Sequence, residues 1–514
     1  MAALAEVPVP AEDNPSACQH TGKLFIPTPE AENTVRFRCF LLFIPGCAAP
    51  FFSLVMLLFM VALMKIFLYH VQLKLIRRNS SMKHVIFHYP TLKDVQLESD
   101  RINGFIPLKE DVSALFEPLP LSGRQAANRI AFQPMEGTDG TEDGAPGELT
   151  VRRYHRFAKA GPGLIWFEAV ATLPEARASA HQLWLTDQNV DQYKQLLDEI
   201  REISLKENGY APLIVMQATH SGRYSKPHSF PEPLIAYSCP PLEDQPLSPD
   251  RIVSDDDLHR FEEAYTHTAR LCQKAGFDGM DVKCCHRYLA CELLSAYTRP
   301  GAYGGSYENR TRFLKNCYRA AKSSIHQASF FLSSRMNVYD GFAYPYGFGV
   351  RTDGSLTPDL TEPIRLIREL KEEFEIPLIN VTMGNPYKNP HVNRPYDHGN
   401  YVPDEHPLEG ISRMMRGISE IQHALPDLPV LGSAFSYLRQ HAGNLAAGMI
   451  ADGHCSMAGF GRMAFADPGF IQELRQEGQI RTGGVCVTCG GCAVLLRNGT
   501  PAGCVVRDRE VYTL

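Results

Sequence analysis

Positive charge is not in excess in this chain. It carries 51 Lys and Arg against 57 Asp and Glu, a formal net charge of −6, and its isoelectric point is near 6.3. That balance excludes a general nucleic-acid binder, which needs a basic surface to neutralise phosphates. No Gly-x-Gly-x-x-Gly follows an early strand-like run, so the dinucleotide fingerprint of a doubly wound sheet is missing. The 14 cysteines form no regular framework. With four of them clustered near the C-terminus, they read as metal or iron–sulfur ligands in a reducing compartment, not as a disulfide scaffold. Charge is missing altogether from Cys39 to Met64, a run long enough to span a bilayer.

That run defines the first segment. Residues 1–35 are rich in Pro, Ala and Glu and read as disordered. Pro45, Gly46 and Pro50 interrupt the apolar stretch, so a transmembrane helix would run over about 51–71. Lys65, Lys74, Arg77, Arg78 and Lys83 follow it, which places the downstream domain on the cytoplasmic side; Arg36 and Arg38 on the other flank weaken the asymmetry. Met82 opens MKHVIFHYPTLKDVQ, which also reads as a natural start. Residues 1–81 are therefore either an N-terminal extension with a membrane helix or a stretch upstream of a mis-assigned start. The expected location is cytoplasmic, or anchored to the inner membrane with the catalytic domain cytoplasmic.

From about Leu119, strand-like and helical patterns alternate. The strand-like runs are Arg129–Phe132, Gly163–Glu168, Pro212–Gln217, Gly279–Val282, Phe330–Met336, Pro377–Val381, Pro429–Ser433 and His454–Phe460. Amphipathic patterns at Asp191–Lys206, Asp256–Lys274, Arg310–Gln327, Leu360–Phe374, Gly410–His423 and Arg439–Ile450 separate them. This order predicts an α/β fold, a (β/α)8 TIM barrel over 82–483, with a C-terminal cysteine-cluster extension over 484–514 and the N-terminal apolar segment. A doubly wound sheet is the second choice. Two long insertions, Lys226–Asp250 and Asn385–His406, are expected to wall the catalytic face.

The chain is organised around GFDGMDVKCCHRYLACELLSAYTRPGAYGGSYENRTRF, from Gly276 to Phe313. A helix ends at Lys274-Ala275-Gly276, a short strand follows, and Lys283, Cys284, Cys285, His286, Arg287 and Tyr288 crowd its C-terminal end, where a barrel enzyme puts its chemistry. The pattern GFDGMDVK-x-x-H-x-YL followed by YGGSYENRTRF closely resembles the Old Yellow Enzyme family of FMN-dependent ene-reductases.

The resemblance covers about Ile106 to Cys504 and implies roles residue by residue. Pro134, Met135 and Glu136 would lie along the flavin, although Glu136 stands where the family has a small residue. Ala169 would let the flavin lie against the backbone. Gln217, in a Gln-x-x-His-x-Gly-Arg match, would pair with the flavin pyrimidine edge, as an amide can both donate and accept. Arg335 would sit beside its anionic side. Ser433 and Ala434 fall at the phosphate loop, with Ala434 replacing the usual Gly. Gly461 and Arg462 match the phosphate-binding Gly-Arg, followed by a helix N-terminus that favours an anion. Tyr288 matches the proton donor. Lys283 and His286 fall where the family binds the substrate carbonyl oxygen, and Lys283 departs from the family's His. His220 and Arg223 read as loop-fixing groups, and Cys284 and Cys285 as buried small side chains.

Cys486, Cys489, Cys492 and Cys504 are spaced C-x2-C-x2-C-x11-C. Such spacing reads as a [4Fe–4S] cluster or a four-thiolate zinc site. A similar cluster follows the barrel in the family's 2,4-dienoyl-CoA reductase branch, with one more residue between its second and third cysteines, and this favours iron–sulfur over zinc. That branch continues into an FAD/NADH domain, which this chain is expected to lack. The implied activity is reduction of the C=C bond of an α,β-unsaturated carbonyl compound (steroid or bile-acid-like, enoyl-CoA or similar), with hydride from FMN N5 and a proton from Tyr288. Electrons would come from NAD(P)H, directly or through a separate electron-donor protein. Membrane association would run through residues 51–71. The alternatives are a flavin-dependent dehydrogenase or demethylase on the same barrel, or a flavin-free metal-binding subunit.

Overall fold

The three longest strands are buried along their whole length: β4 (Leu164–Ala171), β5 (Leu213–Thr219) and β7 (Phe331–Asn337). Burial on both faces is what parallel strands under a shell of helices require. The computed structural model describes residues 84–121, 123–399 and 401–514. The readings for residues 1–81, including the helix about 51–71 and the start at Met82, lie outside the described residues. Among the described residues no helix is long and apolar enough to cross a membrane.

The sheet is a closed barrel in the order β10-β3-β4-β5-β6-β7-β8-β9. The remaining members are β3 (Ile130–Phe132), β6 (Gly279–Val282), β8 (Ile379–Thr382), β9 (Val430–Gly432) and β10 (Met457–Phe460). Every neighbouring pair in the barrel is parallel. These are the eight runs read from the sequence, so the predicted (β/α)8 barrel is the fold.

An antiparallel hairpin, β1 (Leu119–Leu121) and β2 (Arg124–Ala126), precedes the barrel. Leu119, Leu121 and Ala126 pack with inward residues of the strands, among them Trp166, Val215, Phe331 and Leu431. The hairpin thus plugs the N-terminal end, and the chemistry is confined to the other.

The helices start and stop where local chemistry dictates. Ser254 caps Asp255–Ala275 in a reciprocal box with Asp257, and Gly276 ends it in the left-handed conformation at φ 93°. Ser306 caps Tyr307–Ser323 by accepting from the Asn309 amide, so that helix begins three residues before the predicted Arg310. The helix Glu148–Ala160, which the sequence reading did not include, buries Arg153 on the same face as Thr150, Tyr154 and Phe157. That guanidinium is neutralised inside the protein by Asp139, at 2.5 Å, and Glu168, at 2.6 Å. The C-terminal segment packs onto this same helix. Arg152 and Arg156 both pair with Asp508 at 2.7 Å, and the Ala502 amide donates to the Gly137 carbonyl.

The end of β6 turns sharply. His286 and Arg287 are both left-handed, at φ 60° and 63°, a conformation that stores about 1–3 kcal/mol per non-Gly residue. The pair sends alternate side chains in opposite directions. Arg287 goes inward, where it donates to Asp340 at 2.8 Å, to the Tyr237 hydroxyl at 3.0 Å, and to Ser295. The insertion Lys226–Asp250 does not line the cleft as expected; its Tyr237 instead props this turn from behind. Arg287 and Asp340 are both fully buried, so removing one leaves an uncompensated charge. Arg287→Ala is expected to destabilise the fold by about 3–5 kcal/mol, read as a lowered urea midpoint; a loss under 1 kcal/mol would mean the turn holds itself.

Candidate active site

The C-terminal ends of the strands open into a cleft with about 1030 Å³ of space between its atoms. Pro134, Met135, Glu136, Gln217, Lys283, His286, Tyr288, Arg335, Ser433, Ala434, Gly461 and Arg462 all line it. Of the residues singled out for catalysis or flavin contact, Ala169 alone does not. It is buried on β4 beyond a register shift between Phe167 and Ala169, and its carbonyl accepts from Gln182.

The floor of the cleft is set by Asp281, fully buried on β6. Its carboxylate accepts from Trp166 Nε1 at 2.7 Å, from Gln217 Nε2 at 2.6 Å and from the Arg335 amide at 2.8 Å. Burial nevertheless pushes its pKa up to about 6. Held in this way, Gln217 keeps its carbonyl oxygen free of any protein donor among the described residues. Arg335 is buried, forms no ion pair among the described residues, and its Nε has no partner. A buried guanidinium without a counter-charge is costly, and this one sits where an anionic ligand would relieve it.

Above this floor stands a triad. Glu136 Oε1 accepts from Lys283 Nζ at 2.9 Å and from the Tyr288 hydroxyl at 3.1 Å. The Lys283 ammonium also lies 3.5 Å from the centre of the Tyr288 ring. Lys283 is thus paired, not an open ammonium, and the carboxylate at position 136 is neutralised by it. The Tyr288 oxygen has a second partner, the Tyr387 hydroxyl at 2.9 Å. Burial first, then the charge of Glu136, hold the Tyr288 phenol protonated well above the usual range. His286 is held neutral: burial first, then Arg335 and Lys283, push its pKa well below the usual imidazole value. Its Nε2 lies 3.3 Å from Asn393 Nδ2. The two Asn393 amide protons are taken by the Met383 carbonyl at 2.8 Å and the Thr382 hydroxyl at 3.0 Å.

The phosphate end departs from expectation in two ways. Ala434 adopts φ 77°, which explains why a Gly suits that position and why Ala is strained there. The helix after Gly461 is only Arg462–Ala466, so the local positive charge comes from Arg462 itself, which is anchored to the Pro395 carbonyl at 3.0 Å. A Cβ at Gly459 would lie 2.1 Å from Gln133 Nε2, so the backbone itself forms that wall. His220 and Arg223 fix loops as read. His220 accepts from the Gly222 amide and Arg223 pairs with Glu243 and Glu292.

Sequence reasoning missed Asp281, Tyr387, Asn393, Arg394 and Arg497. A carboxylate inside an apolar strand was a readable signal for Asp281. The others come from the insertion Asn385–His406 and from the helix Gly491–Arg497, and only folding brings them to the cleft.

The four C-terminal cysteines converge as well. Cys486, Cys489, Cys492 and Cys504 line one small cavity, and Cys492 also lines the main cleft. The loop between them is wrapped by left-handed Thr488 and Gly490, at φ 53° and 76°. The Arg507 amide donates to Cys504 Sγ at 3.3 Å. Among the described residues no three His, Cys, Asp or Glu side chains are drawn together as a closed metal site. The thiols are therefore gathered around one cavity without being at ligand distance, and the donor set, not a formed geometry, is what fits a cluster.

Fold and cleft together define a closed parallel barrel with a basic, amide-edged cleft at the C-terminal ends of its strands. Residues 114–349 match the model of the NADH:flavin oxidoreductase / NADH oxidase family. The chain is 34% identical over 210 residues to an NADPH dehydrogenase of Geobacillus thermodenitrificans, covering 39% of this chain and 57% of the relative. In fold it resembles a 2-naphthoyl-CoA reductase (TM-score 0.63, 20% identity, 77% of this chain and 57% of the other). It also resembles the old yellow enzyme homologue of Zymomonas mobilis (TM-score 0.53, 20% identity, 72% of this chain and 94% of the other). The stretch that matches this family carries Gln217, Lys283, His286, Tyr288 and Arg335, all of which line the cleft. The chain spans only a little over half the length of the curated relatives it matches first.

Glu136 sets the Tyr288 phenol in this site. Glu136→Gln removes the carboxylate and leaves Lys283 without a counter-charge, and both changes favour phenolate. The Tyr288 ionisation, isolated by ultraviolet titration against a Glu136→Gln/Tyr288→Phe double variant, is expected to move down in pH. An upward shift or none would dissociate the carboxylate from the phenol.

Proposed function

We propose that the chain is an FMN-dependent ene-reductase that reduces the C=C bond of an α,β-unsaturated carbonyl compound, with NAD(P)H as the source of electrons. The observation that carries this is a neutral, buried phenol at Tyr288 above a cleft whose amide, Gln217, and unpaired guanidinium, Arg335, fit a flavin. Gln217 and Arg335 would hold the flavin ring, Arg462 with Ser433 and Ala434 the phosphate, and Pro134 and Met135 one side of the ring. Bound FMN supplies hydride chemistry toward the β-carbon.

The chain's own residues do the remainder. His286, neutral and carrying one imidazole N–H, donates to the carbonyl oxygen and stabilises the charge that develops there. Tyr288 gives its proton to the α-carbon. The phenolate left behind is stabilised from two sides, by the Lys283 ammonium at the ring face and by the Tyr387 hydroxyl. Lys283 works in this way through Tyr288 rather than by direct contact with the carbonyl. The loop carrying Tyr387 and Asn393 covers the cleft and keeps water from the transferred proton.

This reading includes a [4Fe–4S] cluster on Cys486, Cys489, Cys492 and Cys504. It is supported by the convergence of four thiols on one cavity and by Cys492 facing both that cavity and the cofactor cleft. A cluster held there would supply one-electron chemistry for a second route, in which NAD(P)H reduces the flavin through a separate redox protein.

Two experiments test the scheme. Tyr288→Phe is expected to slow alkene reduction by about 10²–10⁴-fold, the range for loss of a general acid, while flavin bleaching by NAD(P)H keeps its wild-type rate. Unchanged turnover would remove Tyr288 from the chemistry. Anaerobically purified protein is expected to contain about four irons per chain, the content of one such cluster, and Cys489→Ser to lose iron while keeping FMN. Zinc in place of iron would make the cysteine site structural.

A further inference from the structure

The cleft holds more positive charge than a flavin accounts for. Five cationic side chains line it, Lys283, Arg335, Arg394, Arg462 and Arg497, against one carboxylate, Glu136. Glu136 is taken by Lys283. The four guanidinium groups form no ion pair among the described residues. On the reading above, Arg335 answers the flavin ring and Arg462 the flavin phosphate. Arg394 and Arg497 are left over.

These two share a location. Both line the main cleft, and both line a second cavity with about 910 Å³ of space between its atoms. That cavity lies between the insertion after β8 and the helix Gly491–Arg497. Tyr387 and Ala493 also belong to both cavities, so the spaces adjoin. Tyr396, Tyr401 and Val494 supply further apolar wall. Arg497 donates one N–H to the Pro386 carbonyl at 3.2 Å, which fixes its direction, while Arg394 donates no side-chain hydrogen bond among the described residues. Lys388, at the same rim, is already paired with Asp244 at 2.7 Å. Burial first, then repulsion from Arg462 and Arg497, lowers the pKa of the Arg394 guanidinium to about 10, and a bidentate anion in the shared space relieves that repulsion.

We propose that Arg394 and Arg497 form an anion-binding subsite that holds a carboxylate or phosphate carried by a molecule whose other end enters the catalytic cleft. The subsite selects anionic over neutral reactants of otherwise equal shape. The ligand's charged end sits between the two arginines and its apolar body passes Tyr387 into the cleft. The assignment rests on the cleft being catalytic, and its anion is borne by the unsaturated substrate or by the nicotinamide donor.

The test uses the FMN-loaded full chain. Inorganic pyrophosphate, titrated calorimetrically at low salt, is expected to bind, and to bind at least about tenfold more weakly in Arg394→Ala and in Arg497→Ala, the loss of one charge-assisted contact. Arg394→Lys should recover part of the affinity, and Tyr288→Phe should leave it unchanged. In turnover, two enones differing only by a terminal carboxylate separate the sources. A rise in KM for the acid alone assigns the subsite to the substrate, and a rise in KM for NADPH alone assigns it to the donor, with kcat unchanged in both cases. If wild type binds pyrophosphate but reduces neither enone, the ene-reductase reading fails and the subsite stands. Pyrophosphate affinity equal to wild type in both alanine variants would overturn the proposal. So would loss of FMN or of iron from those variants, which would reassign the arginines to the flavin phosphate or to the cysteine site.

Discussion

One buried carboxylate sets the positions on which the cleft depends. Asp281 on β6 accepts from Trp166 on β4, from Gln217 on β5 and from the backbone of Arg335 on β7. Four consecutive barrel strands are thereby locked in register at one level. The two side chains that would hold a flavin ring, Gln217 and Arg335, take their geometry from it. A carboxylate in that place is held at a cost, visible in its elevated pKa of about 6, and three donors offset that cost. The hairpin plug at the opposite end of the barrel packs through apolar side chains and is tied down by one ion pair, Arg124 to the buried Asp278 at 2.6 Å. One end is built for packing and the other for chemistry.

Charge in the cleft is arranged rather than merely abundant. Among the described residues the only carboxylate in its lining is taken by Lys283 and Tyr288, so the acid that would oppose a reduced flavin instead keeps a phenol protonated. The remaining cations form no ion pair among the described residues. This asymmetry suits the three anion positions proposed above: along a flavin ring, at its phosphate, and beside Arg394 and Arg497. The cysteine segment closes one wall of the same cleft through Cys492 and Arg497.

Much of this was legible in the sequence. Eight strand-like runs alternating with amphipathic helical patterns predicted the barrel, because that alternation is the signature of parallel strands under a shell of helices. Gly276 at the end of one helix and Ser306 at the start of another marked boundaries by local capping alone. Pro134 to Glu136, Gln217, Lys283, His286, Tyr288, Arg335, Gly461 and Arg462 could be placed at strand ends, and they meet in one cleft. The helix Glu148–Ala160 was not part of that reading; it buries Arg153, and only Asp139 and Glu168, brought from elsewhere, make that burial tolerable.

What the sequence determined by itself is the inventory and its order: eight strands, the polar groups at their ends, and four cysteines at ligand-like spacing. These follow from short-range periodicity and spacing, which a linear chain displays directly. Which groups pair was decided only by the tertiary structure. Glu136 and Lys283 stand on different strand ends, 147 residues apart, and their contact turns two separate candidates into one neutral pair. Tyr387 reaches Tyr288 across 99 residues from an insertion with no periodic signal. Arg394 and Arg497 become a pair because a loop and the final short helix fold over the same cavity. Electrostatic partnership depends on distance in space, and distance in space is what periodicity along the chain cannot report.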